Sequence, residues 1–194
     1  MTTDGPPGAD FGHAPPPTLA EGLLAVPLHI LAVRGMVRLD AATAAAAADA
    51  TMDYVVGPYA GHPFFDLRQA VDRCWLDGRE IDPAKVAAVD VGAGPACTVR
   101  MLRCWQASRS AHRLRLRYRL GTPQAELGGT YPPVLRWEAG PRLRWSFGLS
   151  DLFAGRYLEA WFPANLPFDP FPLTLDIAIT GTRVRHSVIS NGDV

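Results

Sequence analysis

The side chains able to do chemistry are few and scattered. The histidines are His13, His29, His62, His112 and His186. No two stand as His-x-x-x-His, the spacing that sets two imidazoles one helical turn apart on a metal ion. Cys74, Cys97 and Cys104 are odd in number and lack Cys-x-x-Cys spacing. They read as buried or free thiols in a reducing compartment, not as a disulfide framework. Cys74 or Cys104 as a nucleophile would require a positioned His, and no spacing supplies one. Gly148-Leu149-Ser150-Asp151-Leu152 lacks the second glycine of a nucleophile elbow. Gly92-Ala93-Gly94 is too short for a phosphate loop. No catalytic residue and no metal ligand is assigned.

Two further groups could bind. Arg113, Arg115, Arg117 and Arg119, with Arg100 and Arg103, could form a patch for an anionic partner. At a formal net charge of +0, a solvated sheet face paired with Asp and Glu is the favoured reading. Trp75, Trp105, Trp137, Trp145 and Trp161 could stack sugars. Core packing, where Trp supplies a large buried area, is favoured over that.

The elements that must carry these residues read as strands. His112 to Leu120 alternates cleanly, with Leu114, Leu116, Tyr118 and Leu120 on one face and the arginines on the other. Ala41 to Ala50 is alanine-rich and suggests helix by propensity. Yet Ala48, Ala50, Met52, Tyr54 and Val56 alternate with Asp49, Thr51 and Asp53, so Ala46 to Val56 reads as strand. Leu28 to Leu39 is a strand whose Gly35 marks a bulge or a close approach. Gly61-His62-Pro63 is a turn before Phe64 to Leu67. Val71 to Leu76 leads into the Asp77-Gly78 hairpin signal. Ile81 and Val86 to Val91 are edge pieces, and Cys97 to Trp105 is a strand. Gly121 to Pro133 is a long loop; Val134 to Trp137 and Arg142 to Leu149 are further strands. Leu173 to Thr180 alternates, and Val184 to Ile189 follows it after Gly181. Short strands at intervals of roughly 8–12 residues predict an all-β fold, a twisted β-sandwich of mostly antiparallel strands.

The 194 residues fit one domain plus a tail. Residues 1–27, rich in Pro and Gly, form the expected disordered tail, and residues 28–194 the β-sandwich domain. Neutral charge gives no support for nucleic acid as partner. No apolar run reaches the ~18 residues of a membrane span. The first basic residue is Arg34, so no basic leader region is seen and a cytoplasmic location is expected.

Trp161-Phe162-Pro163-Ala164-Asn165, then an alternating strand, then Val188-Ile189-Ser190-Asn191-Gly192, resembles the close of the N-terminal β domain of aminopeptidase-N-type zinc metallopeptidases. Phe64 to Leu67, Val71 and Trp75 to Ile81 are similar to an earlier strand-and-turn pair of that family, and Leu114 to Tyr118 to its Leu-x-Ile-x-Tyr strand. The resemblance covers about Leu28 to Gly192. It departs at Glu159, where the family often has Arg, and at Leu166, where it has Asp. Asn191-Gly192 signals a hairpin whose second arm is missing, so the chain is expected to be truncated before a catalytic domain.

The resemblance implies a non-catalytic accessory domain that caps the active-site cleft and packs on a catalytic domain of the same or a neighbouring chain. The family's zinc and its His-Glu-x-x-His motif would lie in that absent domain, and peptide substrate would be met only in that context. Glu159 is the candidate contact for the substrate's amino end. Trp161, Phe162, Asn165, Phe168 and Phe171 are the candidate domain-interface residues, expected to form an exposed apolar patch. The alternative is a stand-alone β-sandwich module binding protein or carbohydrate.

Overall fold

The computed structural model describes residues 11–89, 99–120, 158–165 and 170–187. In chain order the strands are β1 (Thr18–Ala20), β2 (Leu23–Asp40), β3 (Ala45–Val56), β4 (His62–Asp66), β5 (Arg73–Leu76), β6 (Arg79–Ile81), β7 (Val86–Val89), β8 (Val99–Leu102), β9 (Ala111–Arg119) and β10 (Leu173–Thr180). Short 3-10 turns occupy Pro83–Lys85 and Leu158–Ala160. The domain is all-β, as the alternating patterns predict.

The 18-residue strand β2 organises the fold. Its first part, from Leu23 to Pro27, pairs antiparallel with β1 and parallel with β4. Beyond β4 lie β8 and then β7, which is one edge of the sheet. From Leu28 onward the same strand changes neighbours. It pairs antiparallel with β3 along its length and parallel with β10 from Val33 to Asp40. Beyond β3 come β9, β5 and finally β6, the other edge. A strand that leaves one sheet for another needs a local break. Here Pro27, which has no N–H to donate, sits at the change, and a register shift falls between Ile30 and Ala32.

The core lies where the two sheets face each other. Val26, Phe65, Leu102 and Val86 from the first sheet meet Val33, Val37, Met52, Tyr54, Leu114 and Tyr118 from the second. A smaller cluster of Ala20, Ala25, Phe64, Val89, Val99 and Met101 lies on the first sheet's other face. The two clusters separate by residue parity, as successive strand side chains point to opposite faces. β3 follows the same rule: Ala48, Ala50, Met52, Tyr54 and Val56 are all buried, and Asp49, Thr51 and Asp53 face outward.

Gly35 makes a close approach, and the strand irregularity falls elsewhere. A Cβ at Gly35 would lie far inside van der Waals contact with the Phe162 ring. Phe162 is fully buried, so that ring has nowhere to retreat. Asp77 and Gly78 both have positive φ, 51° and 80°, as a two-residue hairpin turn between β5 and β6 demands.

Three expectations are corrected. Residues 18–27 belong to β1 and β2 and not to a tail, because Ala20, Ala25 and Val26 bury in the core and their backbone pairs with neighbouring strands. His62 and Pro63 open β4 and are no turn, since they pair in parallel with Ala25 and Val26 of β2. Residues 184–187 are irregular instead of strand, and Val184 is 63% exposed. The strands expected at 134–137 and 142–149 and the Asn191-Gly192 turn lie outside the described residues.

Gly35→Ala should lower stability by about 1–3 kcal/mol, the usual cost of overpacking a filled core. The shift of the denaturant midpoint measures it. An unchanged midpoint would mean that Phe162 is not held against β2.

Candidate functional site

The segment with the resemblance is built into the core by three anchors. The Asp66 and Ala164 backbones exchange two hydrogen bonds of 2.9 Å. The Asn165 amide donates to the Leu28 carbonyl at 2.6 Å, beside the point where β2 changes sheets. The Tyr118 hydroxyl donates to the Trp161 carbonyl at 2.8 Å. The Trp161 and Phe162 rings meet edge to face, their centroids 4.8 Å apart. Trp161 and Phe162 are therefore core residues of this chain and form no exposed patch. Phe171 is half-buried against the same core, Asn165 is half-buried, and Phe168 lies outside the described residues.

Glu159 sits in the 3-10 turn just before these anchors. Its carbonyl accepts from the Arg68 N–H at 2.8 Å, and its carboxylate lies 3.5 Å from Arg68 Nε. The two side chains are 12% and 3% exposed. The carboxylate faces an internal guanidinium. Asp66 completes the group. Burial, and then the charge of Glu159, push its carboxyl up to about 7, against the pull of Arg68. Next to them, Arg100 is almost fully buried and donates to the Leu67 and Gln69 carbonyls, both at 3.0 Å.

The outer face of the second sheet carries the arginines. Register aligns Asp49 with Arg117, Thr51 with Arg115 and Asp53 with Arg113. Arg115 binds Asp49 through two hydrogen bonds, and Arg117 binds the same carboxylate. Asp53 takes two hydrogen bonds from Arg113 and one from Arg34. Burial raises the Asp49 carboxyl, but Arg115 and Arg117 outweigh it and hold it below the usual carboxylate range. Hydrogen bonding from Arg113 does the same for Asp53. The guanidinium carbons of Arg73, Arg115 and Arg117 lie 4.8–5.2 Å from the Trp75 ring. A shallow groove of about 610 Å³ crosses this face between Arg34, Asp49, Trp75 and Asp176. The face is an array of alternating charge, as the pattern of Arg, Asp and Glu implies.

A third constellation has no counterpart in any local sequence pattern. At the start of β9, His112 Nδ1 lies 2.7 Å from Asp77 Oδ2, and His112 Nε2 lies 2.8 Å from Ser110 Oγ. Asp77 Oδ1 accepts from the Arg113 N–H at 2.8 Å, which fixes the carboxylate. Below the imidazole, Tyr54 packs with its ring centroid 5.8 Å away, and its hydroxyl is hydrogen-bonded to Gln106. The sequence signals are Asp77-Gly78 and the first residues of a strand. Only the pairing of Leu76 with Leu114 brings them together.

Cys74 and Cys104 offer no comparable reactivity. Burial pushes the Cys74 thiol up to about 11, and burial also raises Cys104. Among the described residues no three His, Cys, Asp or Glu side chains converge as a metal site requires. No described helix is long and apolar enough to cross a membrane.

No protein-family model matches the chain, and no curated protein matches it. Solved structures do. The chain is similar to an M1 zinc metallopeptidase from Deinococcus radiodurans, with 19% identity and a TM-score of 0.49 over 78% of this chain and 32% of that one. It is also similar to a two-domain M1 zinc metallopeptidase mutant bound to L-arginine, with 20% identity and a TM-score of 0.49 over 83% of this chain and 34% of that one. The chain thus spans about a third of the length of the structures it matches.

Two outcomes follow. Asp66 has its carboxyl raised from 3.8 to about 7 in the fold, so the native state binds the extra proton between those values. Its contribution therefore makes stability fall as pH rises from about 4 to about 7. Asp66→Asn should flatten that slope in unfolding midpoints recorded across the range, and an unaltered slope would exclude Asp66 as its source. Asp49→Asn leaves Arg115 and Arg117 facing each other across Trp75. It should cost roughly 1–2 kcal/mol, after discounting for two arginines open to solvent, and a denaturant titration reads the loss.

Proposed function

We propose that this chain serves as the non-catalytic N-terminal β domain of an aminopeptidase-N-like zinc metallopeptidase. It packs on a catalytic domain of the same or a neighbouring chain and caps one side of that domain's cleft. One observation carries the reading. The segment Leu158–Asn165 is clipped to Asp66, Leu28 and Tyr118, and the chain goes on to a β10 that pairs in parallel with β2. The motif by which the chain resembles that family is thus the motif that ties its two sheets together.

With Trp161 and Phe162 inside the core, the interface falls to Phe171, to Leu173 at 38% exposure, and to the β10 edge. Glu159 supports the clip through Arg68, and a role toward a peptide's amino end would require that pair to open. Zinc and peptide belong to the catalytic domain, and the assembled enzyme would be cytoplasmic. A second reading, a stand-alone module for a protein or carbohydrate ligand, draws on Trp105, which is 64% exposed and stands edge-on to His62.

The purified chain by itself should take up no stoichiometric zinc and should leave leucine- and alanine-anilide intact. Mixed with a catalytic domain of this peptidase type prepared without its β domain, it should form a stoichiometric complex and raise anilide hydrolysis. Metal analysis, size exclusion and the anilide assay read these outcomes. Zinc-dependent anilide turnover by the chain alone, or no complex, would overturn the proposal.

A further inference from the structure

The hydrogen-bonded series Ser110–His112–Asp77 has the connectivity of a nucleophile, its base and the base's orienting carboxylate. We propose that it is an acyl-transfer site that hydrolyses small carboxylic esters with apolar or aromatic groups. This activity is separate from the peptide hydrolysis in which the chain takes no catalytic part, and it does not rest on the accessory-domain reading.

The two links measure 2.8 Å from Ser110 Oγ to His112 Nε2 and 2.7 Å from His112 Nδ1 to Asp77 Oδ2, both within the reach proton transfer needs. Asp77 is held on its other oxygen by the Arg113 N–H, so it presents Oδ2 to the imidazole in a fixed direction. The imidazole is braced from below by Tyr54 and is 20% exposed, so it is both oriented and reachable. Tyr54 is in turn fixed by Gln106. Ser110 follows Arg109, whose φ of 57° is strained for a residue with a side chain. The Ser110 hydroxyl also lies 2.6 Å from the Ala107 carbonyl oxygen. Its proton therefore has two acceptors, and rotation about the Cβ–Oγ bond moves it from one to the other.

The surroundings set the substrate class. The loop carrying Ser110 is stitched to the loop 57–61 by bonds from Arg109 N to the Gly57 carbonyl and between Gly61 and Gln106 in both directions. These two loops present Tyr59 at 55% and Trp105 at 64% exposure. They offer exposed aromatic surface on the loop that carries Ser110 and on the loop bonded to it, and suit an apolar acyl or aryl group.

The reaction balances with water as co-reactant. Ser110 Oγ bonds to the ester carbonyl carbon as its proton passes to His112 Nε2. The carbon–oxygen bond to the alcohol then breaks, and the alcohol leaves with that proton. Water next gives a proton to Nε2 and its oxygen to the acyl carbon. The carboxylic acid departs, and Ser110 recovers its hydrogen from His112. Asp77 is a positioning residue that holds the tautomer and faces the imidazolium as it forms.

The test uses the full chain with p-nitrophenyl acetate and butyrate, in the presence of a metal chelator, and a fluorophosphonate probe followed by peptide mass mapping. The expected result is sustained turnover and a single label on Ser110. Ser110→Ala and His112→Gln should each lower turnover by about a hundredfold or more. Asp77→Asn should lower kcat and leave KM unchanged, a split that a purely structural role would not produce. Equal turnover in Ser110→Ala, or an unlabelled Ser110 in the unsubstituted chain, would overturn the proposal. Labelling of the unsubstituted chain tests the site whether or not any variant folds.

Discussion

One strand serves two sheets, and the structure depends on how that strand is held. β2 cannot stay in a single ladder. Its first part pairs with β1 and β4, and its remainder with β3 and β10. At the change its backbone must find new partners. The Asn165 amide takes up the Leu28 carbonyl, and the Gly57 N–H takes up the Pro27 carbonyl. Leaving such buried groups unpaired would cost more than the bonds themselves contribute. Farther along, Gly35 leaves room for Phe162 to press on the strand, so the late segment 158–165 closes the seam between the sheets.

Charge is divided according to solvent. Outside, Asp49 and Asp53 each hold two arginines whose own side chains stay open to water, so pairing stands in for the water the carboxylates lose. Inside, Arg100 is met by backbone carbonyls, and Arg68 shares its site with Glu159 and Asp66. There the carboxyl of Asp66 keeps a proton, because ionising beside Glu159 away from water is unfavourable. The same physics bears on the proposed functions. The clip at Glu159 is a structural ion pair at the end of β4, whereas the imidazole of His112, 20% exposed, keeps both its partners and some access to solvent.

Much of the fold is legible in the sequence because strand periodicity is a local property. The Leu and Arg alternation in β9 and the Ala, Met and Tyr alternation in β3 each give the element and its buried face. The alanine run is resolved by its period of two against its helix propensity. The first strands are hidden because Pro and Gly in residues 1–17 make the residues after them look like more of the same tail. Trp161 and Phe162 look like interface because a sequence shows that an aromatic will be covered, but not by what. Phe162 is covered by Gly35, 127 positions earlier in the chain.

Side-chain alternation and turn chemistry act within a few residues. They alone therefore settle the all-β class, most strands, their inward faces, the Asp77-Gly78 turn and the resemblance carried by Trp161 to Asn165. The tertiary structure was needed to decide which strands are neighbours, that β2 crosses between sheets, that Glu159 meets Arg68, and that Asp77, Ser110 and His112 line up. Each of those depends on register between distant segments. A slip of one residue would turn every side chain to the other face, and no local pattern records that choice.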